Sequence, residues 1–91
     1  MKVVGRIKRI EECKEVGANK LKIRDVIIVT DEQYVQTLAI QFKQNLAENF
    51  NFKVDENVSI DVNLKGREYT KPDGQVNVFN TIEGWKVEPK T

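Results

Sequence analysis

Ninety-one residues, 40% hydrophobic and 32% charged, describe one small globular domain with no room for a second core. A single cysteine and no histidine rule out an internal disulfide, a zinc site of the usual ligand set, and a Ser-His-Asp or Cys-His centre. Most enzyme classes are thereby disfavoured, and no cofactor motif or catalytic residue emerges.

The net charge of +1 is unevenly distributed. Residues 1–24 carry eight basic groups (Lys2, Arg6, Lys8, Arg9, Lys14, Lys20, Lys22, Arg24) against Glu11, Glu12 and Glu15, which makes that segment +5 and the remainder −4. Folded into a hairpin, such a segment presents a basic surface on a nearly neutral molecule. Lysines that merely solubilise exposed strands give the same pattern, so charge alone assigns no partner. The longest apolar run, Val26–Val29, is far too short for a transmembrane helix or a signal-peptide core. The lone Cys13 fits a reducing compartment, and a cytoplasmic location is expected.

Residues 2–12 mix β-branched side chains with Lys and Arg and predict a strand, with Gly5 allowing a bend or a close backbone approach. Residues 15–19 predict a turn, with Gly17 and Asn19 the positions suited to positive φ. Residues 20–30 alternate Lys20, Lys22 and Arg24 with Leu21 and Ile23, then become apolar on both faces through Val26–Val29. That alternation is read with Lys22 and Arg24 outward. Residues 34–42 alternate again. In 43–51 the period changes: Phe42, Leu46 and Phe50 recur every four residues, which predicts a short amphipathic helix. Residues 58–67 place Val58, Ile60, Val62 and Leu64 inward. Lys71-Pro72-Asp73-Gly74 is a turn, and 76–87 form the last strand, where Gly84 suggests a bulge that re-aims Trp85. Gly66 is read as a barrel bend, and Pro89-Lys90-Thr91 as a frayed end to a single domain spanning 1–88.

The order β-β-β-α-β-β predicts an all-β fold with one short helix, a five-stranded Greek-key barrel of the OB type. The pieces Arg24-Asp25, Asp31-Glu32-Gln33-Tyr34, Gln36-Thr37-Leu38-Ala39-Ile40, Asn51-Phe52-Lys53-Val54, Gly66-Arg67-Glu68-Tyr69, Phe79-Asn80 and Gly84-Trp85 occur in that sequence. The ordered set resembles a small bacterial and phage family of single-domain OB-fold proteins similar to single-stranded DNA-binding proteins. This chain departs at Asp55-Glu56-Asn57, where similar chains place a glycine, and at Val35, where they often have proline. Asp or Asn can still adopt the left-handed conformation such a turn needs. The resemblance implies a role in binding single-stranded DNA.

OB barrels hold single strands with basic groups at phosphates and flat π-faces beneath bases. The candidate nucleic-acid-binding residues are Lys22, Arg24, Tyr34, Gln36, Lys65, Arg67, Tyr69, Phe79 and Trp85. Phe79 falls out of phase with Val76, Val78 and Ile82, so it should point away from the core. Gln41 is a further polar candidate, with surface filler the plainer reading. Phe42, Phe50 and Phe52 read as core, and Asp25, Asp61 and Glu68 as solvating carboxylates with no metal-ligand spacing.

Two functions compete. The first is a non-enzymatic, sequence-tolerant single-stranded DNA-binding protein in replication, recombination or repair, with RNA binding as a variant. The second is an OB-fold protein-interaction or self-association domain, a homo-oligomer included, with Tyr69 and Phe79 as its interface. Neither involves a membrane.

Overall fold

The computed structural model describes residues 1–90. Its elements run β1 (Lys2–Ile10), β2 (Lys14–Val16), β3 (Leu21–Thr30), β4 (Thr37–Lys43), α1 (Asn45–Glu48), β5 (Asn57–Thr70) and β6 (Val76–Pro89). The strands are ordered β1-β5-β6-β4-β3-β2, and an extra β1–β3 pairing closes the barrel. Every pairing is antiparallel except β4 with β6, where Ile40 meets Ile82 and Gln41 meets Glu83 in parallel. This is the OB-type Greek-key barrel, its first strand split into β1 and the short β2. No helix among the described residues is long and apolar enough to cross a membrane.

The core consists of Ile7, Val26, Ile28, Ile40, Phe42, Ala47, Val58, Ile60 and Val62, all fully buried. Alternating positions along the strands supply most of it, as a closed barrel requires. Phe50 and Phe52 pack beside it; the Phe42 and Phe50 ring centroids are 5.2 Å apart and those of Phe50 and Phe52 are 5.6 Å apart. All three aromatics serve packing, as expected. The helix itself covers only four residues, because Gln44 takes φ 54° immediately before it and Asn49 leaves helical geometry at its end.

Gly5 pairs with Thr30 of β3 and with Val58 of β5, so it lies where β1 is sandwiched between both neighbours. Gly17 (φ 74°) and Gly74 (φ 89°) occupy the two turns. In the first turn Lys20, and not Asn19, takes the left-handed conformation, and Asp55 supplies it in the turn where a glycine was expected (φ 53° and 75°). Gly66 has no positive φ and pairs with Asn80 without a register shift, in the part of β5 beyond its pairing with β1.

At the far end, β6 continues to Pro89, which pairs with Val58, and the Lys90 N–H donates to the Asn57 carbonyl at 2.9 Å. The hydrogen bonding therefore runs past the expected boundary at Glu88 and holds Pro89 and Lys90 against β5, while Thr91 lies outside the described residues.

Gly84 pairs with Val62, and Lys86 with Asp61, which leaves Trp85 as the extra residue of the expected bulge. A Cβ on Gly84 would come within 2.6 Å of Phe42 Cε1 and 3.0 Å of Ile40 Cγ2. Both side chains are fully buried and cannot swing away. Gly84→Ala is expected to cost about 1–3 kcal/mol through overpacking. Adding Phe42→Leu should make the pair less than additive, which thermal denaturation of the single and double variants checks.

Candidate nucleic-acid interface

Past the last pairs with β1 and β4, at Asp61 and Ile82, the β5–β6 hairpin leaves the barrel as a two-stranded arm rooted at Ile82. Its seven residue pairs, from Leu64↔Ile82 to Thr70↔Val76, extend it roughly 20 Å at a strand's usual rise. The Lys71 N–H donates to Gln75 O and the Gly74 N–H to Lys71 O, closing the expected turn. One face of the arm continues the outside of the barrel and carries Lys65, Arg67, Tyr69, Asn77, Phe79 and Thr81, since directly paired residues share a face.

A groove of about 640 Å³ opens between this face and the barrel. Val16, Leu21 and Ile23 of the β2–β3 hairpin form one wall; Gln41 and Lys43 of β4 lie beside Thr81 and Glu83 of β6; Lys65, Gly66, Arg67 and Phe79 of the arm form the other wall. Phe79 is 60% exposed and sits directly across from Arg67. Among the described residues neither Lys65 nor Arg67 is in an ion pair. Lys43 Nζ instead meets Glu83 Oε2 at 2.9 Å, which neutralises that stretch of the groove.

Of the nine candidates, Lys65, Arg67 and Phe79 line the groove, and Tyr69 extends the same face toward the arm's tip. The prediction that Phe79 points away from the core agrees with its exposed position.

Lys22 and Arg24 do not stand outward with them. Arg24 pairs with the buried Phe42, and both basic residues share the alternation of the buried Val26, Ile28 and Thr30, so they lie on the inner side of β3 at the barrel's end. Lys22 Nζ donates to Glu48 Oε1 of α1 at 2.7 Å, and this bond raises the lysine pKa above its usual value. Arg24 Nε is buried without a hydrogen-bond partner. The long apolar stem of Lys22 covers the core while its charged head reaches Glu48 at the rim. The outward positions belong to Leu21 and Ile23.

Tyr34 and Gln36 precede β4 in a connection spanning 31–36, where a strand was expected from Tyr34. The Thr30 N–H donates to Gln36 O at 2.8 Å, and the Gln36 N–H donates to Thr30 Oγ1 at 2.8 Å, pinning this connection. It adjoins the Val29↔Thr37 end of the β3–β4 ladder, six pairs and roughly 20 Å from the Ile23↔Lys43 end that borders the groove. Tyr34, 76% exposed, is not among the residues that line the groove. Trp85 is half exposed on its bulge, outside the groove lining. Beside it Lys86 and Glu88 pair at 2.9 Å; their mutual hydrogen bond raises the lysine pKa and lowers the glutamate's.

The sequence reading missed Val16, Leu21, Ile23, Lys43, Thr81 and Glu83 as groove residues. Counting back by twos from Val26 marks Leu21 and Ile23 as outward, but the apolar run through Val29 conceals which face is inner.

Among curated proteins, none matches this chain. A solved structure of the mitochondrial single-stranded DNA-binding protein Rim1 from S. cerevisiae is similar to it, with a TM-score of 0.66 at 15% identity, over 98% of this chain and 91% of that one. The likeness shows the OB fold on which the groove is built. A family model matches residues 2–88, and the chain belongs to that family, DUF3127, described as a domain of unknown function.

Proposed function

We propose that the chain is a non-enzymatic protein that binds single-stranded DNA without strong sequence preference, serving replication, recombination or repair in the cytoplasm. One observation carries the reading: two basic side chains without ionic partners among the described residues, Lys65 and Arg67, flank an exposed Phe79 in a groove on the outer face of an OB barrel. Phosphates need the cations, and unstacked bases need the ring; stacking contributes roughly 1–3 kcal/mol per base. The aliphatic wall of Val16, Leu21 and Ile23 adds contact that does not discriminate among bases, in keeping with sequence tolerance. The similar fold of Rim1, a protein described as binding single-stranded DNA, supports the same use of the barrel. RNA binding in this groove is a variant, because nothing lining it is dedicated to the sugar.

Anisotropy of a labelled oligo-dT, titrated at two salt concentrations, tests the proposal. Saturable binding that weakens steeply with salt is expected, since each phosphate contact releases counterions. Trp85 fluorescence read on the same samples should change little, because that ring lies outside the groove. Absence of binding at low salt for both DNA and RNA would leave the protein-interaction reading in its place.

A further inference from the structure

The arm has a second face. Leu64, Val76 and Val78 lie on it beside Ile82, with the same alternation as the core, and Leu64 was expected to point into that core. Its phase is as expected, but the arm has already left the barrel: Leu64 is 63% exposed and Val78 64%. The arm's edges are open as well. β1 pairs with β5 only as far as Asp61, and β4 pairs with β6 only at Ile82 and Glu83. Both strands are long and free of bulges here, the kind of edge that recruits another strand unless charge, proline or a bulge blocks it.

The two edges differ in chemistry. On β5, pairing with a second β5 that keeps each face on its own side sets like charges opposite one another: Lys65 against Arg67, Arg67 against itself, or Glu68 against itself, for registers centred on Gly66, Arg67 and Glu68. On β6, residues 75–82 (QVNVFNTI) carry no charge and no proline and are rich in strand-forming types. Nothing on that edge repels its own copy.

We propose that two copies of this chain associate through the free edge of β6, antiparallel about a two-fold axis at Val78. The register follows from two constraints. Faces are conserved only when paired residue numbers sum to an even value, because a one-residue slip turns every side chain over. The edge at Ile82 is already occupied by Ile40 of β4, so pairing must stop before it. Centring on Val78 pairs β6 from its first residue without reaching Ile82, with Val78 opposite Val78, Asn77 opposite Phe79 and Val76 opposite Asn80. A centre at Phe79 would drive Val76 against Ile82.

The result is an isologous four-stranded sheet. Val76 and Val78 of both copies meet on the back face and shelter each other from water. On the front face Phe79 and Arg67 of both copies lie on one side, so the two grooves open onto a continuous surface. The association does not depend on the nucleic-acid reading and is tested without nucleic acid.

Light scattering over a concentration series should give a mass rising to twice the 10.5 kDa of one chain. Val78→Lys sets two like charges on the axis and should hold the mass at that of a monomer that still melts cooperatively, because the side chain is exposed in a single chain. In a Cys13→Ser background, Val78→Cys should oxidise to a covalent dimer, since the two copies of residue 78 face each other across the axis with Cβ atoms about 4.5 Å apart, at the reach of a disulfide. Val76→Cys should not, because each copy's residue 76 faces the other's residue 80. A wild-type mass of one chain at every concentration, an unaltered dimer in Val78→Lys, or cross-linking at 76 in preference to 78 would each overturn the proposal.

Discussion

Lys65→Gln with Arg67→Gln is expected to weaken single-stranded DNA binding by on the order of tenfold or more at low salt and to flatten its salt dependence. Each lost phosphate contact removes about 0.7 from the slope of log affinity against log salt on a single strand, so losing both should make it shallower by about 1.4. Phe79→Ala should behave differently. It removes a stacking surface worth roughly 1–3 kcal/mol, about 5- to 150-fold in affinity, and leaves the salt slope unchanged. Anisotropy titrations at several salt concentrations separate the two signatures. Lys22→Gln and Tyr34→Ala serve as contrasts: the first residue is bonded to Glu48 on the inner side of the sheet and the second does not line the groove, so neither change should alter the slope. Wild-type affinity and slope in the Lys65/Arg67 variant would remove the groove from the binding account.

Gly5→Ala should produce the largest loss of stability of any single methyl addition to this chain. A Cβ there would collide with the Val29 carbonyl oxygen and lie 2.8 Å from Ile28 Cγ2. The obstacle at Val29 is backbone in a paired strand, so relief requires β1 and β3 to separate, and that pairing closes the barrel. A cost of about 3 kcal/mol, the upper end for overpacking, is a large share of a small domain's stability. At roughly 4–8 °C per kcal/mol, the midpoint of a circular-dichroism melt should fall by on the order of 15 °C. Gly74→Ala has nothing within 4 Å of the new Cβ and carries only the penalty of positive φ, so its melt should shift far less. A Gly5→Ala variant melting like wild type would show that β1 and β3 do not approach so closely.

How much of this was legible in the chain depends on which interactions are local. Val58, Ile60 and Val62 alternate cleanly because one face of β5 meets the core and the other meets water, so burial and spacing agree. The turns at Gly17 and Gly74 follow from residues able to take positive φ, and the bulge at Gly84 from a missing Cβ against Phe42. Those are properties of a few consecutive residues, and reading them in order was enough to reach an OB-type barrel with a short helix after its third long strand. Phe79's outward direction was legible for the same reason, as a break in a two-residue period.

The face of β3 was not legible. Lys22 and Arg24 carry charge, and charge ordinarily marks the wet side of a strand; here both lie on the inner side of the barrel's end, where α1 brings Glu48 to Lys22 as a partner. Leu64 shows the converse: its period is that of the core, yet the barrel ends at Val62 and nothing covers the next turn of the pattern. Periodicity reports which residues share a face but not how far the core extends along it. The sequence by itself determined the strands, the turns and the order in which they close. Only the tertiary structure decided which face of β3 borders the groove, where the arm leaves the barrel, and that Lys65, Arg67 and Phe79 come together while Tyr34 and Gln36 stay apart, because each of these depends on contacts between segments distant in the chain.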